Sequence, residues 1–180
     1  MRNLLTAAFL LFSIGAFAQT ASINWMTVDQ MVAAQKKQPR KVLIDVYTTW
    51  CGPCKMMDAN TFSNRQVVEY INKNYYAVKF NAESGDPVTF KGQTYTNPTY
   101  NPEARGRNGV HEFSRALRVS AYPTVVYLDE ELNMIAPIKG YQTPPQIELY
   151  LKFFSSNTYK QVTTQDQWEA YQQNFTPTFK

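Results

Sequence analysis

Histidine and cysteine are the scarce residues of this 180-residue chain, which holds one of the first and two of the second. A lone histidine and a single cysteine pair make a tetrahedral zinc site improbable, since such sites draw on two further ligands, so no metal is expected. Two cysteines are also too few for a small secreted scaffold stapled by spaced disulfides. Lysine and arginine form no block, and 18 basic against 14 acidic residues give a net charge of only +4, so a nucleic-acid partner is not expected either. No run reaches the roughly 18 to 20 apolar residues that a membrane span needs.

What the chain does have is apolar and aromatic substance. It is 44% hydrophobic, with 12 Tyr, 11 Phe and 3 Trp, which at this length argues for one domain with a real core. The first residues carry an address: Met1-Arg2-Asn3, an apolar stretch from Leu4 to Phe17, and Ala16-Phe17-Ala18 as a small-x-small site. Residues 1–18 are expected to be a signal peptide cut after Ala18, which puts the chain in the periplasm or outside the cell. The segment contains no cysteine, so a lipid-modified cysteine at the cut is excluded.

Both cysteines fall within Trp50-Cys51-Gly52-Pro53-Cys54. A disulfide over so short a loop restrains little of the unfolded chain, so chemistry explains the pair better than stability. Upstream, Val42 to Tyr47 is a β-branched run with one acid inside, which reads as a buried central strand. Cys51 then sits where a helix through Lys55, Met56 and Met57 begins, with Pro53 tolerated in its first turn. A second helix is expected from Ser63 as N-cap through Val67, Val68 and Ile71, followed by a strand from Tyr76 to Phe80. Thr27 and Gln30 form a capping box for a helix to about Gln38. Downstream come a short helix from His111 to Arg118, strands Thr124–Leu128 and Met134–Lys139 about a polar turn, and a helix capped by Thr143.

With these residues in place the chain resembles the thioredoxin family. The match rests on Trp50-Cys51-Gly52-Pro53-Cys54-Lys55-Met56, Asp45 six positions before the first cysteine, Lys79 on the next strand, Tyr122-Pro123-Thr124, and Gly140. Met57 and Thr61-Phe62-Ser63 with Val67 are closer to the C-terminal domain of membrane thiol:disulfide interchange reductases. The resemblance implies an α/β thioredoxin fold, a central mixed sheet flanked by helices. It places the domain over residues 19–156, an insertion over 82–110 before a cis-proline loop, and a C-terminal extension over 157–180 with an extra helix. It implies a cofactor-free, monomeric protein-disulfide oxidoreductase acting on protein thiols and disulfides, in the reducing direction, with a membrane electron donor. The other class of function, a thioredoxin-fold binding or chaperone module, would not need the intact cysteines.

The chemistry follows from the residues. Thiol-disulfide exchange needs a thiolate, and the unpaired N–H groups of a helix start favour that form, so Cys51 is the expected exposed nucleophile. Cys54, one turn inside, is positioned to resolve the mixed disulfide. By resemblance, Asp45 is a buried proton acceptor for Cys54, and Lys79 lies near it. Pro123 is the cis-proline facing Cys51, and Trp50, Gly52, Pro53 and Tyr122 complete the substrate contact. Within the insertion a hairpin about Lys91-Gly92 is expected. Phe90, Tyr95 and Tyr100 are candidates either to cover the active-site rim or to pack the insertion onto the domain.

Overall fold

The computed structural model describes residues 22–180, so the expected leader and its cleavage site lie outside the described residues. The elements run β1 (Trp25–Met26), α1 (Val28–Lys37), β2 (Lys41–Tyr47), α2 (Gly52–Asn60), α3 (Arg65–Asn74), β3 (Tyr75–Asn81), β4 (Val88–Phe90), β5 (Gln93–Tyr95), α4 (Glu112–Ala116), β6 (Thr124–Leu128), β7 (Met134–Lys139), α5 (Pro144–Ser155) and α6 (Gln165–Asn174). Along β2 every residue but Tyr47 is buried. A strand apolar on both faces must be covered on both faces, and it accordingly takes the centre of a five-stranded sheet of order β1-β3-β2-β6-β7. β3 runs parallel to β2 while β6 runs antiparallel to it, so the sheet is mixed. Pro137 donates no hydrogen bond to a ladder and is accommodated because β7 is the sheet edge.

Side chains alternate across the sheet and divide the core in two. On one face Leu43, Ala77, Val125 and Tyr127 meet Val67 and Ile71 of α3, Ile147 and Leu151 of α5, and Met57 of α2. On the other, Val42, Ile44, Val46 and Phe80 meet Met31 of α1, Phe113 of α4 and, from the insertion, Val88 and Phe90. Thr27 and Gln30 form the reciprocal cap of α1. One cap differs from the expectation. Asn64, not Ser63, opens α3, its Oδ1 accepting the N–H groups of Gln66 and Val67 at 3.0 and 3.2 Å. Ser63 lies one residue early and donates its hydroxyl back to the Ala59 carbonyl, closing α2 instead.

The insertion is an ordered layer. β4 and β5 pair about Lys91 and Gly92, both with positive φ (50° and 79°), which suits a two-residue hairpin turn. Asn97 donates to the carbonyls of Ser84 and Gly109 at 3.1 and 2.7 Å. Asn101 and Asn108 pair at 2.8 and 2.7 Å, which fixes the loop between them. The single histidine ties this layer down: His111 Nδ1 accepts from Phe113 N–H at the start of α4, and Nε2 lies 3.0 Å from the Asp86 carbonyl. Two nitrogens so engaged require neutral imidazole with the proton on Nε2.

At the other end, α6 opens with the reciprocal Thr164–Gln167 cap, and Trp168 and Tyr171 pack on Phe153 of α5 at 4.9 and 4.8 Å between ring centres. The residues beyond it return to the domain. Buried Glu148 accepts the N–H groups of Thr178 and Phe179, both at 2.7 Å, and pairs with Lys152 at 2.5 Å. Burial pushes the Glu148 carboxyl up, but the hydrogen bonds from Lys152 and the tail outweigh it and hold the group below its ordinary range. Glu148→Ala should therefore lower the unfolding free energy by about 2 kcal/mol near neutral pH, measured by urea titration. Because the folded-state value is depressed, the deficit should be full above the ordinary glutamate range and fade as pH falls below it. An unchanged urea midpoint would show that the tail contributes nothing.

Candidate active site

The site grows from the junction of β2 and α2. Cys51 is the N-cap residue of α2, and its Sγ accepts the Cys54 N–H at 3.1 Å. Pro53 in the first turn has no N–H to leave unpaired. The two sulfurs form a disulfide, with Cα atoms 5.3 Å apart. Both cysteines are only 3% exposed in this oxidised form, which corrects the expectation of an exposed Cys51. Exposure does not distinguish the two residues, whereas position at the helix start does.

The alternation of β2 puts Asp45 on the face that carries Leu43, and it is the face that also receives Met57 of α2. Asp45 is buried in the central strand, so the alternative of a solvent-facing edge acid does not hold. Its register partner on β3 is Lys79, whose Nζ lies 2.9 Å from Oδ2. Oδ1 has no hydrogen-bond partner among the described residues. Desolvation raises the Asp45 carboxyl to about 6, a rise that the attraction of Lys79 only partly offsets. Burial alone would push Lys79 down, but Asp45 and Asp58 together hold it above its ordinary value. The ammonium also lies over the rings of Trp25, Tyr47 and Phe62, at 5.1, 5.1 and 5.6 Å. Tyr47, at the end of β2, thus borders the ion pair.

Asp58 was not anticipated. It follows Cys54 by four residues, one turn along the same helix face, and is a second carboxylate paired with Lys79 beside Asp45. That spacing put Asp58 on the Cys54 face of α2 but did not disclose Lys79 as its partner. A lysine held between two carboxylates keeps its charge, and the second acid is half-exposed, so Lys79 links the buried carboxyl to the surface.

The rim is set by Trp50 and the Tyr122–Pro123 peptide, which is cis. The Trp50 and Tyr122 rings meet edge to face at 6.0 Å, joining the cysteine turn to the proline loop. Gly140 N–H donates to the Pro123 carbonyl at 2.8 Å, and its φ of 90° is one that a glycine adopts without strain. Gly52 and Pro53 lie exposed at the start of α2. From the insertion, Glu83 accepts the Trp50 indole N–H on both oxygens at 3.1 and 2.9 Å, and the Arg107 guanidinium lies 4.4 Å over the same ring. Neither residue carried a signal in the sequence, since both belong to irregular segments. The aromatic candidates go elsewhere. Phe90 and Tyr95 pack against Phe113 in the core, and the Tyr100 ring lies so close to Gly85 that a Cβ there would come within 2.6 Å of it.

The sequence matches the family described as thioredoxin-like domain over residues 28–155. It is 25% identical over 170 residues to the thiol-disulfide oxidoreductase ResA of Bacillus thuringiensis subsp. konkukian, covering 84% of this chain and 95% of that one. It is 23% identical over 145 residues to the thiol:disulfide interchange protein DsbD of Pectobacterium atrosepticum, covering 78% of this chain but 21% of that much longer protein. A thioredoxin-fold protein from Helicobacter pylori superposes with a TM-score of 0.58 at 14% identity, covering 87% of this chain and 88% of the other. That last likeness is one of fold.

Because folded Asp45 holds its proton to higher pH than the unfolded chain, stability falls as pH rises from roughly 4 to about 6, and the full cost is present above that. Asp45→Asn removes the cost. The variant should gain on the order of 2–3 kcal/mol in unfolding free energy at pH 7.5 and nothing below roughly pH 4. Urea titrations at the two pH values measure the difference, and an equal gain at both would mean that Asp45 is not the titrating group.

Proposed function

We propose, for a chain that belongs to the thioredoxin-like domain family, the role of an exported thiol:disulfide oxidoreductase that reduces protein disulfides. The observation that carries this reading is the Cys51–Cys54 pair at the start of α2, on the sheet face where Asp45 is buried with one oxygen unpartnered among the described residues. In the reduced protein the Cys51 thiolate attacks a substrate disulfide. One substrate sulfur joins Cys51 in a mixed disulfide and the other leaves as thiolate. Asp45, as carboxylate, takes the Cys54 proton; Cys54 then attacks Cys51 Sγ, restoring the intramolecular disulfide and releasing the second substrate thiolate. Two electrons pass from the dithiol to the substrate. A dithiol donor at the membrane returns them. Trp50, Gly52, Pro53, Tyr122 and Pro123 form the surface on which the substrate segment lies, and Lys79 supports Asp45.

Export rests on the leader pattern of residues 1–18. The reducing direction rests on what is absent beside the thiols: Gly52 and Pro53 separate them, and the one histidine is committed to Phe113 and Asp86 at the start of α4. With no imidazolium to stabilise the reduced form, the potential should stay near roughly −270 mV and not rise toward roughly −120 mV. Equilibration with glutathione buffers measures it, and a pair reduced by millimolar glutathione would overturn the reductase direction.

Turnover itself is tested by insulin reduction with dithiothreitol, which Cys51→Ser should abolish. Iodoacetamide at pH 7 should label Cys51 of the reduced protein at least about tenfold faster than Cys54, because the α2 N–H groups lower its pKa. Equal labelling would reverse or void the assignment. If Asp45 is the proton acceptor, release of the mixed disulfide in the wild type slows as pH falls through about 6, and that inflection is lost in Asp45→Asn.

A further inference from the structure

Arg107 is the one cation that the insertion brings to the cysteine turn by direct contact. Its guanidinium lies 4.4 Å from the centre of the Trp50 ring, and Trp50, 37% exposed, immediately precedes Cys51. The ring is held from two further directions: Glu83 accepts its N–H at 2.9 and 3.1 Å, and Tyr122 meets it edge-on at 6.0 Å. Glu83 is only 7% exposed and committed to the indole, so it forms no ion pair with Arg107. The loop that carries the arginine is itself pinned, Asn101 pairing with Asn108 at 2.8 and 2.7 Å one residue beyond it. The position of Arg107 is therefore built, whereas its N–H groups are left unspent. Among the described residues none of them has a hydrogen-bond or ion-pair partner, and the side chain is exposed.

A guanidinium over a ring face is held by its charge and spends none of its five N–H donors on a conventional hydrogen bond to the ring, so they remain available to a ligand. The group whose geometry matches two of those donors at once is a carboxylate. Contact with the ring already restrains the side chain, so less side-chain entropy remains to be lost on binding. We propose that Arg107 is a specificity-determining residue of this oxidoreductase, which receives the carboxylate of an acidic side chain flanking the substrate cysteine and so favours substrate segments that are acidic around the exchanging sulfur. Arg105, exposed on the same loop, and Lys55, exposed on α2, add charge of the same sign. The inference rests on the function proposed above and names the class of segment that the Cys51 site accepts. The insertion thereby acquires a use beyond covering the core.

The test uses the full mature chain in its reduced form and two synthetic peptide disulfides that differ in one residue, Glu or Lys, two positions from the cysteine. In wild type the ratio of kcat/KM for the Glu peptide to that for the Lys peptide should be about threefold to tenfold at low salt, the scale of a partly exposed charge-assisted pair. It should shrink toward one as ionic strength approaches 1 M. Arg107→Glu should invert the ratio, and Arg107→Lys should keep part of it, because the charge remains while the planar fork is lost. A mere packing role would change both peptides alike and leave the ratio fixed. A ratio unchanged in Arg107→Glu, or equal rates for both peptides in wild type, overturns this inference and leaves the oxidoreductase intact. Exchange with neither peptide in wild type overturns the oxidoreductase, and the inference with it.

Discussion

Everything in this site depends on a carboxylic acid placed in the middle of a strand that is buried at every residue but its last. Asp45 is flanked on β2 by Ile44 and Val46, covered on both faces, and paired among the described residues with one cation, Lys79. The desolvation of one carboxylate exceeds what one partly exposed ammonium returns, so the group holds its proton up to about pH 6. The fold thus carries a stability cost at neutral pH. A protein that needed only a stable sheet would do better with valine there. Tolerance of the cost is what ties the strand to the proposed chemistry, since a carboxyl that exchanges its proton near pH 6 is suited to take one from a thiol.

The surrounding structure manages that acid. Lys79 also pairs with Asp58 and lies over the rings of Trp25, Tyr47 and Phe62, so its charge stays in place whether or not Asp45 is ionised. α2 starts immediately after the strand and its turn. The geometry that buries Asp45 also presents Cys51 at the helix N-terminus. The cysteine turn and the proline loop, more than 70 residues apart in sequence, are joined through the Trp50–Tyr122 contact and anchored by the Gly140 N–H.

The two additions to the domain are used differently. The C-terminal extension is structural: α6 covers aromatic surface on α5, and the final residues satisfy the buried Glu148. The insertion does two jobs. Its hairpin extends the core beside α1 and α4, while its two flanks reach Trp50, Glu83 in the plane of the indole and Arg107 above it.

What the sequence determined alone was whatever is written over short distances. The strand run of β2, the capping box at Thr27, the Lys91-Gly92 turn and the cysteine pair at a helix start are each decided within a few residues by sterics and backbone hydrogen bonding. Order and spacing of a few marked positions then carried the family resemblance, and with it Asp45, Lys79 and Pro123. Only the tertiary structure decided which charges meet. Asp58 with Lys79, Glu83 and Arg107 with Trp50, and Glu148 with the last residues of the chain are pairs separated by 21 to 57 positions in sequence, most of them with one member in irregular backbone. Local periodicity says nothing about such pairs. Their meeting is set by how the sheet faces are covered, and a one-residue difference such as Asn64 for Ser63 at a cap is settled by which side chain reaches the free N–H groups once the preceding helix has ended.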